Sequence, residues 1–530
     1  MGCTASALCH FLHAPGHRSI DSRLEDSLTS KTHPCRWTGK NQLTDVDVCP
    51  LYNIPQRLLL TRCDVGQVVS IDMLPDDVLL EIFDFFAREF RSSGFIIEEM
   101  QDWQTLVHVC RRWRSIVFGS PRRLDLRLVC SDKTPARDTL DVWPALPLFI
   151  WCKKILETVD NIVAVLERSD HVCDILLEFK GSDLDKLSAA MQVPFPELTS
   201  LSLFSNGKTV SALPDSFLGG SAPRLQILDL FGIPFPGLPK LLLSATHLVG
   251  LHLFNTPHSG YIPPETIVTA LSTLTRLRRF WLEFESPQSR PDPEHQHPPP
   301  PTRSVLPKLN YLLFKGDSEY LEVLVAHIDA PQLFELKTTL FNDIVFDTPQ
   351  FAQFISRTSV MKALKKAHVT FEGGAAVVEL SSSRKFEVLK VRILCSKLDW
   401  QVSSMEQVCA SCLPPIPTLE DLHIYEDPLR RCNWQGPQGN IENALWLELL
   451  HPFASVKNLY LSSDIARCIV PAVQELIGAR AIEVLPTIQN VFLEELQPSG
   501  PVQQGIQQVV AVRQAAGHPI AVSYGQNVRY

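Results

Sequence analysis

The residues whose types could support chemistry are few and scattered. Cys409-Ala410-Ser411-Cys412 has the two-residue spacing of a metal or redox pair. A tetrahedral zinc site needs four ligands, and no second close pair supplies them, although Cys395 and Cys432 lie in the same region. Two unrelated thiols beside a proline-rich turn are the plainer reading. His295-Gln296-His297 sits inside the run PDPEHQHPPPPT, where solvated imidazoles are expected rather than metal ligands. Phosphate-binding glycine loops, a G-x-S-x-G elbow and an HExxH helix do not occur in the sequence. The expectation is a chain that performs no catalysis and carries neither cofactor nor metal.

A different constellation stands at Val107-His108-Val109-Cys110-Arg111-Arg112-Trp113, where a thiol, two arginines and an indole adjoin on an amphipathic segment. The arginines there, with Arg114, Arg122, Arg123 and Arg127, make a local basic group. Phosphate binding would have to work against a net charge of -9, so a solvated helix face is the expectation and nucleic acid is not.

At 530 residues with 45% hydrophobic content the chain can bury a large core. Its 14 cysteines mostly adjoin apolar residues, as reduced buried thiols do in the cytoplasm or nucleus. No apolar run is long enough to span a bilayer and no signal-peptide core follows Met1, so a soluble, unexported chain is expected. Met1-Gly2-Cys3-Thr4-Ala5-Ser6 fits the myristoylation pattern at Gly2 with Cys3 placed for a second acyl chain, yet no polybasic cluster follows; a membrane partner is not expected.

Residues 1–67 lack any sustained period and read as a disordered leader. Pro75, Asp76 and Asp77 then open a helix whose apolar residues are Val78, Leu79, Ile82, Phe83 and Phe86. After a linker over 87–101, Asp102 offers an N-cap to one second helix carrying Trp103, Leu106, Cys110, Trp113 and Val117. Arg122 to Leu128 alternates as a strand does.

Beyond this a short phrase recurs, with an apolar residue at its first, fourth and sixth positions. Clear copies are Leu198/Leu201/Leu203, Leu225/Leu228/Leu230, Leu248/Leu251/Leu253, Leu277/Phe280/Leu282, Leu309/Leu312/Phe314 and Leu419/Leu422/Ile424. Fainter ones start at Val172, Phe386, Val456 and Ile488. Leu228 and Leu230 share one face of a strand, leaving Ile227, Asp229 and Phe231 on the other. Such units are stable only when stacked. Pro264–Thr275 and Ser318–Ile328 have helical periodicity and would form the outer layer. Residues 286–304 are too rich in proline for either layer and read as a loop.

The phrase resembles leucine-rich repeats, with Asn206 alone among Asn206, Ile233, Thr256 and Glu285 matching the Asn or Cys of a regular repeat; an irregular horseshoe is expected. MLPDDVLLEIFDFF followed by LVHVCRRWRSIV resembles the F-box, the helical module that docks substrate receptors onto the Skp subunit of cullin ubiquitin ligases. Here the linker is longer than usual, and Ser120-Pro121 stands where an aromatic often opens a third helix.

The fold class read from all this is α/β: a helical F-box over 68–130, a leucine-rich-repeat-like solenoid over 131–495 and a C-terminal cap over 496–530. The resemblance implies docking on a Skp-type adaptor, and through it a cullin ligase, by Leu74, Pro75, Val78, Ile82, Phe83, Leu106, Val109, Cys110, Trp113 and Val117. On the solenoid, Phe231, Phe254, Trp281, Tyr311, Tyr425 and Tyr460, with Phe204 and Phe492, would line a concave face that holds a protein substrate. Among them stand His252, Glu283, Lys315, Glu335, Lys337, Lys390, Arg392 and His423. The alternative is a repeat scaffold attached to no ligase.

Overall fold

The structure is a computed structural model. It describes residues 71–92, 103–121, 123–124, 126–131, 140, 143, 145–152, 159–207, 210–287, 303–341, 348–358, 364–382, 387–413, 418–430, 432, 441–476, 482–494 and 500–525. The leader with Gly2 and Cys3, Asp102, Arg122, His295, His297 and nearly all of the proline-rich segment lie outside the described residues. The chain divides into two compact units, Met1–Met73 and Leu74–Tyr530. Of the first, one 3-10 turn, Ile71–Met73, is described.

The second unit opens with helix α1 (Asp76–Ser92), whose first turn carries Asp76 and Asp77 against the positive end of the helix dipole. The expected single second helix is in fact two, α2 (Trp103–Val109) and α3 (Arg111–Gly119). Cys110 between them has extended backbone, and its Sγ accepts from the Trp113 amide at 3.5 Å. Val107 and Val109 are β-branched and weak helix formers, so the segment gains more from a cap at Cys110 than from an unbroken turn.

Strands and helices then alternate. The strands are β1 (Leu128–Cys130), β2 (Leu148–Cys152), β3 (Val172–Phe179), β4 (Ser200–Ser205), β5 (Ile227–Phe231) and β6 (Gly250–Thr256). They continue as β7 (Arg279–Phe284), β8 (Ser304–Val305), β9 (Tyr311–Gly316), β10 (Ile328–Asp329), β11 (Glu335–Phe341) and β12 (Lys366–Glu372). Last come β13 (Ala375–Ser381), β14 (Glu387–Leu394), β15 (Asp421–Glu426), β16 (Asn458–Leu461), β17 (Asn490–Leu493) and β18 (Ala521–Tyr524). Strands β8 and β10 pair apart; the other sixteen form one sheet among the described residues.

Every pairing in that sheet is parallel except β12 with β13 and β13 with β14. The spatial order is β1 to β7, then β9, β11, β14, β13, β12, β15 to β18. The chain thus skips two places after β11, runs back through a hairpin, and fills the gap last. Gly374, at φ +125°, makes the hairpin turn, a conformation that L side chains rarely adopt.

Inward residues of each strand sit in one continuous core: Leu228 is 0% and Leu230 2% exposed, and Leu251, Phe280 and Leu312 are equally buried. Ile267, Leu271, Leu321 and Leu324, from the helices Pro264–Leu271 and Ser318–His327, occupy the same core. This is a mixed α/β repeat solenoid. The strand expected over Arg122–Leu128 is shorter: Leu124 and Leu126 bury as the alternation requires, but the ladder begins at Leu128. No helix among the described residues is long and apolar enough to cross a membrane.

Candidate partner-binding surfaces

Helix α1 sorts its apolar residues onto two faces. Leu79, Leu80 and Phe83 are buried, whereas Val78, Ile82 and Phe85, spaced i, i+4 and i+7, are 38%, 41% and 65% exposed. Val109, at the end of α2, is 59% exposed. Of the residues proposed for docking, Pro75, Val78, Ile82 and Val109 are therefore exposed, and Leu74, Cys110 and Trp113 are half-buried.

Phe83, Leu106 and Val117 belong to the chain's own core, because α2 and α3 fold back over the inner face of α1. The Trp113 indole packs on Phe83 with ring centroids 4.7 Å apart, and its Nε1 is buried without a hydrogen-bond partner among the described residues. Phe85, not Phe83, is the exposed phenylalanine of this helix. Its position one half-turn from Phe83 was readable from helical periodicity.

The arginines of α3 are not simply solvated. Arg112 pairs with Asp76 at 2.6 Å and donates to the Leu74 carbonyl at 2.5 Å, and Arg114 Nε donates to the Val107 carbonyl at 3.0 Å. Trp103 is buried, donates from Nε1 to the Arg127 carbonyl at 3.1 Å, and stands 5.3 Å from the Trp143 ring. The helices are thereby joined to the start of the sheet.

The second surface is the open face of the sheet, opposite the helices. Phe204, Phe231, Phe254, Trp281, Tyr311, Tyr425, Tyr460 and Phe492 are all half-buried on it. Parallel register brings one ring beside the next. Phe204, Phe231, Phe254, Trp281 and Tyr311 follow at centroid separations of 6.3, 6.1, 5.1 and 5.4 Å. At the other end His368, His423, Tyr460 and Phe492 stack face to face at 4.4, 4.0 and 4.5 Å.

Between the two tapes lies a belt of paired charges. Lys337 meets Glu335 at 2.7 Å, Lys390 meets Glu379, and Arg392 holds Glu372 through two hydrogen bonds of 3.0 and 2.7 Å, with Arg430 at 3.2 Å. Burial raises the Glu283 carboxyl above its ordinary range, partly opposed by Lys315. Lys315 also stands over the Phe341 ring at 5.6 Å.

His252 and His423, expected among the presented residues, are instead buried, at 7% and 1% exposure, under neighbouring rings. His423 is held down to about 3 by burial first and then by His368 and Lys366. His252 Nδ1 lies 2.6 Å from Asp229, whose other oxygen accepts from Ser202 at 2.6 Å. Serine, aspartate and histidine meet here, but the hydroxyl bonds to the carboxylate and not to the imidazole, which is not the order of a base-activated nucleophile.

Cys409 is buried in a π-helical turn, Val408–Cys412; the Cys412 side chain lies outside the described residues. Burial and neighbouring carboxylates push the Cys432 thiol up to about 12, leaving it protonated and unreactive. Among the described residues no group of three His, Cys, Asp or Glu could hold a metal ion.

No family model matches the chain, and no curated protein does. Among solved structures, the leucine-rich repeat-containing protein LegL7 from Legionella pneumophila is 12% identical, with a match covering 72% of this chain and 97% of that one at a TM-score of 0.23.

Proposed function

We propose that the chain is a substrate-recruiting adaptor of a cullin-type ubiquitin ligase. In this reading α1 to α3 are an F-box that docks on a Skp-type subunit, and the open face of the sheet binds the protein to be ubiquitinated. The observation that supports it most is the strip Val78, Ile82 and Phe85, with Val109: apolar residues left uncovered on a module that already has its own core. Ligase action would be proximity, raising the local concentration of a target lysine near the charged conjugating enzyme.

The test is retention of the full chain on a Skp-type subunit, with Ile82→Asp and Phe85→Asp beside wild type. Wild-type retention lost in both variants supports docking; equal retention of all three, or none of wild type, sinks it. A second reading is favoured by Trp103, whose bond to Arg127 ties the helices to the sheet: the helices cap a scaffold that serves no ligase. Failure of wild type to bind the subunit, with open-face binding intact, supports that reading.

A further inference from the structure

The two ends of the sixteen-stranded sheet are finished differently. Beside β1, Trp103 donates to the Arg127 carbonyl and ties α2 to the start of the sheet. Beyond β18 no strand pairs among the described residues, so Ala521–Tyr524 is an edge. The Ala521 amide donates to the Gln489 carbonyl at 2.9 Å and the Gly525 amide to the Leu493 carbonyl at 3.2 Å, both toward β17. Backbone groups alternate in direction along a strand, so those of Val522 and Tyr524 point outward: two N–H donors and two C=O acceptors that no described strand meets.

The core is open at the same end. Register sets Val522 after Leu459 and Val491, and Tyr524 after Leu461 and Leu493, in rows that face the helices. Leu461 and Leu493 are buried, yet Tyr524 is 46% exposed. A groove of about 340 Å³ lies between β18 and the helix Pro501–Ala515, with Ile506, Val510, Ile520, Val522 and Tyr524 in its walls. The terminal layer of a repeat stack ordinarily turns polar residues outward. Here the last layer leaves apolar ones within reach of solvent.

Charge is missing there too. Residues 500–525 include no Asp, Glu or Lys, although the whole chain is 20% charged. Their one arginine, Arg513, is 3% exposed and donates to the Val484 and Leu485 carbonyls. Exposed strand edges are ordinarily kept from pairing by charged residues, and depletion of charge around an apolar centre marks interfaces. A partner that relies on ion pairs finds none here, whereas a second copy brings the same neutral surface and meets no like-charge repulsion.

We propose that this end is a self-association surface: β18 pairs antiparallel with β18 of a second copy about a twofold axis beside Ser523. That axis sets Val522 of each chain opposite Tyr524 of the other, the two residues whose backbone groups point outward, so four N–H to C=O bonds close and Ser523 faces its own counterpart. Opposed residues share a face of the sheet, so each Tyr524 ring comes to lie on the groove side of the other chain's Val522 and covers it. The surface is distinct from the exposed strip of α1, and the proposal stands whether or not the chain serves a ligase.

The experiment measures the mass of the full chain by sedimentation equilibrium over a range of concentrations, for wild type, Val522→Pro, Ser523→Lys, Ser523→Asp and an equimolar mixture of the last two. Wild type is expected to reach the mass of two chains. Val522→Pro keeps the ladder to β17, because the N–H that it loses points outward, and should weaken association about thirtyfold through two lost bonds. Ser523→Lys and Ser523→Asp each set like charges face to face and should weaken it about fivefold, while their mixture associates at least as tightly as wild type.

Wild type of single-chain mass at every concentration overturns the proposal and leaves the edge to a different protein. Association that Val522→Pro and both charged variants leave unchanged puts the contact elsewhere and overturns it equally. A mixture that associates no better than either charged variant alone removes the twofold axis at Ser523, and the proposal with it.

Discussion

His423 lies flat against Tyr460, ring centroids 4.0 Å apart and planes 4° from parallel, with its side chain almost wholly out of solvent. A proton on that ring would be buried beside Lys366 and His368, which is why its titration is held down to about 3. In the unfolded chain the same ring titrates near the ordinary histidine value of 6.5, so there it binds a proton that the folded chain refuses. Stability is then full above the unfolded value and falls as pH drops from about 6.5 toward 3. Between pH 6.5 and 5 the loss attributable to this ring is about 2 kcal/mol. Denaturant melts across that range should show it, and His423→Phe, which keeps the stack without a titrating group, should flatten the slope.

The two faces of α1 make opposite forecasts. Phe83→Ala opens a hole in the helical core and should cost about 3–5 kcal/mol. Phe85→Asp, at an exposed site, should leave the melting temperature within a few degrees of wild type while removing retention on a Skp-type subunit. Thermal unfolding and subunit retention measured on both variants separate the two effects. A Phe85→Asp chain that unfolds as readily as Phe83→Ala would show that the exposed strip is structural.

Cys110 caps α3 with a sulfur, a weaker acceptor than a hydroxyl oxygen. Cys110→Ser should therefore hold or raise stability, by up to about 1 kcal/mol, and Cys110→Ala should lower it by about the same amount. Hydrogen exchange at the Trp113 amide reads the cap directly, since that amide is its donor.

Glu372 is the single carboxylate between Arg392 and Arg430 in the described charge cluster at the hairpin end, and its side chain is 11% exposed. Glu372→Gln leaves the partly buried Arg392 without its countercharge and should cost about 3 kcal/mol. Adding Arg392→Met should recover much of that loss. A double variant as unstable as the single one would mean that the cluster acts through packing alone.

Much of the solenoid could be read in advance because its signal is local. Leu201 with Leu203, Leu228 with Leu230 and Leu312 with Phe314 all bury as their spacing requires, and the rings between them all emerge on the opposite face. The copy of the phrase at Leu333, Leu336 and Thr338 does not stand out, because Thr338 occupies an inward position where an apolar residue is expected. Nor does the unit from Leu364, because Ala367 is too small to stand out as a core residue.

The hairpin order could not be read. Gly373-Gly374 announces a turn, but nothing near it tells β14, rather than β12, to lie against β11. The Asp229–His252 bond was equally hidden: the two residues lie on different strands, and only register across the sheet brings them together. Cys110 as a helix break was partly legible, since two valines, Val107 and Val109, stand just before it, yet the amphipathic period runs through it unbroken.

The back-to-front filling of the sheet bears on how the chain is made. A ribosome delivers β11 with one unpaired edge, and the strand that covers this edge is the third to emerge after it, not the next. Sequential zipping from the amino terminus must therefore halt at Phe341 until the whole meander from Lys366 to Leu394 has been synthesised. During that pause a long parallel edge stands open to any other nascent strand, which makes this the point in translation where a chaperone has most to protect.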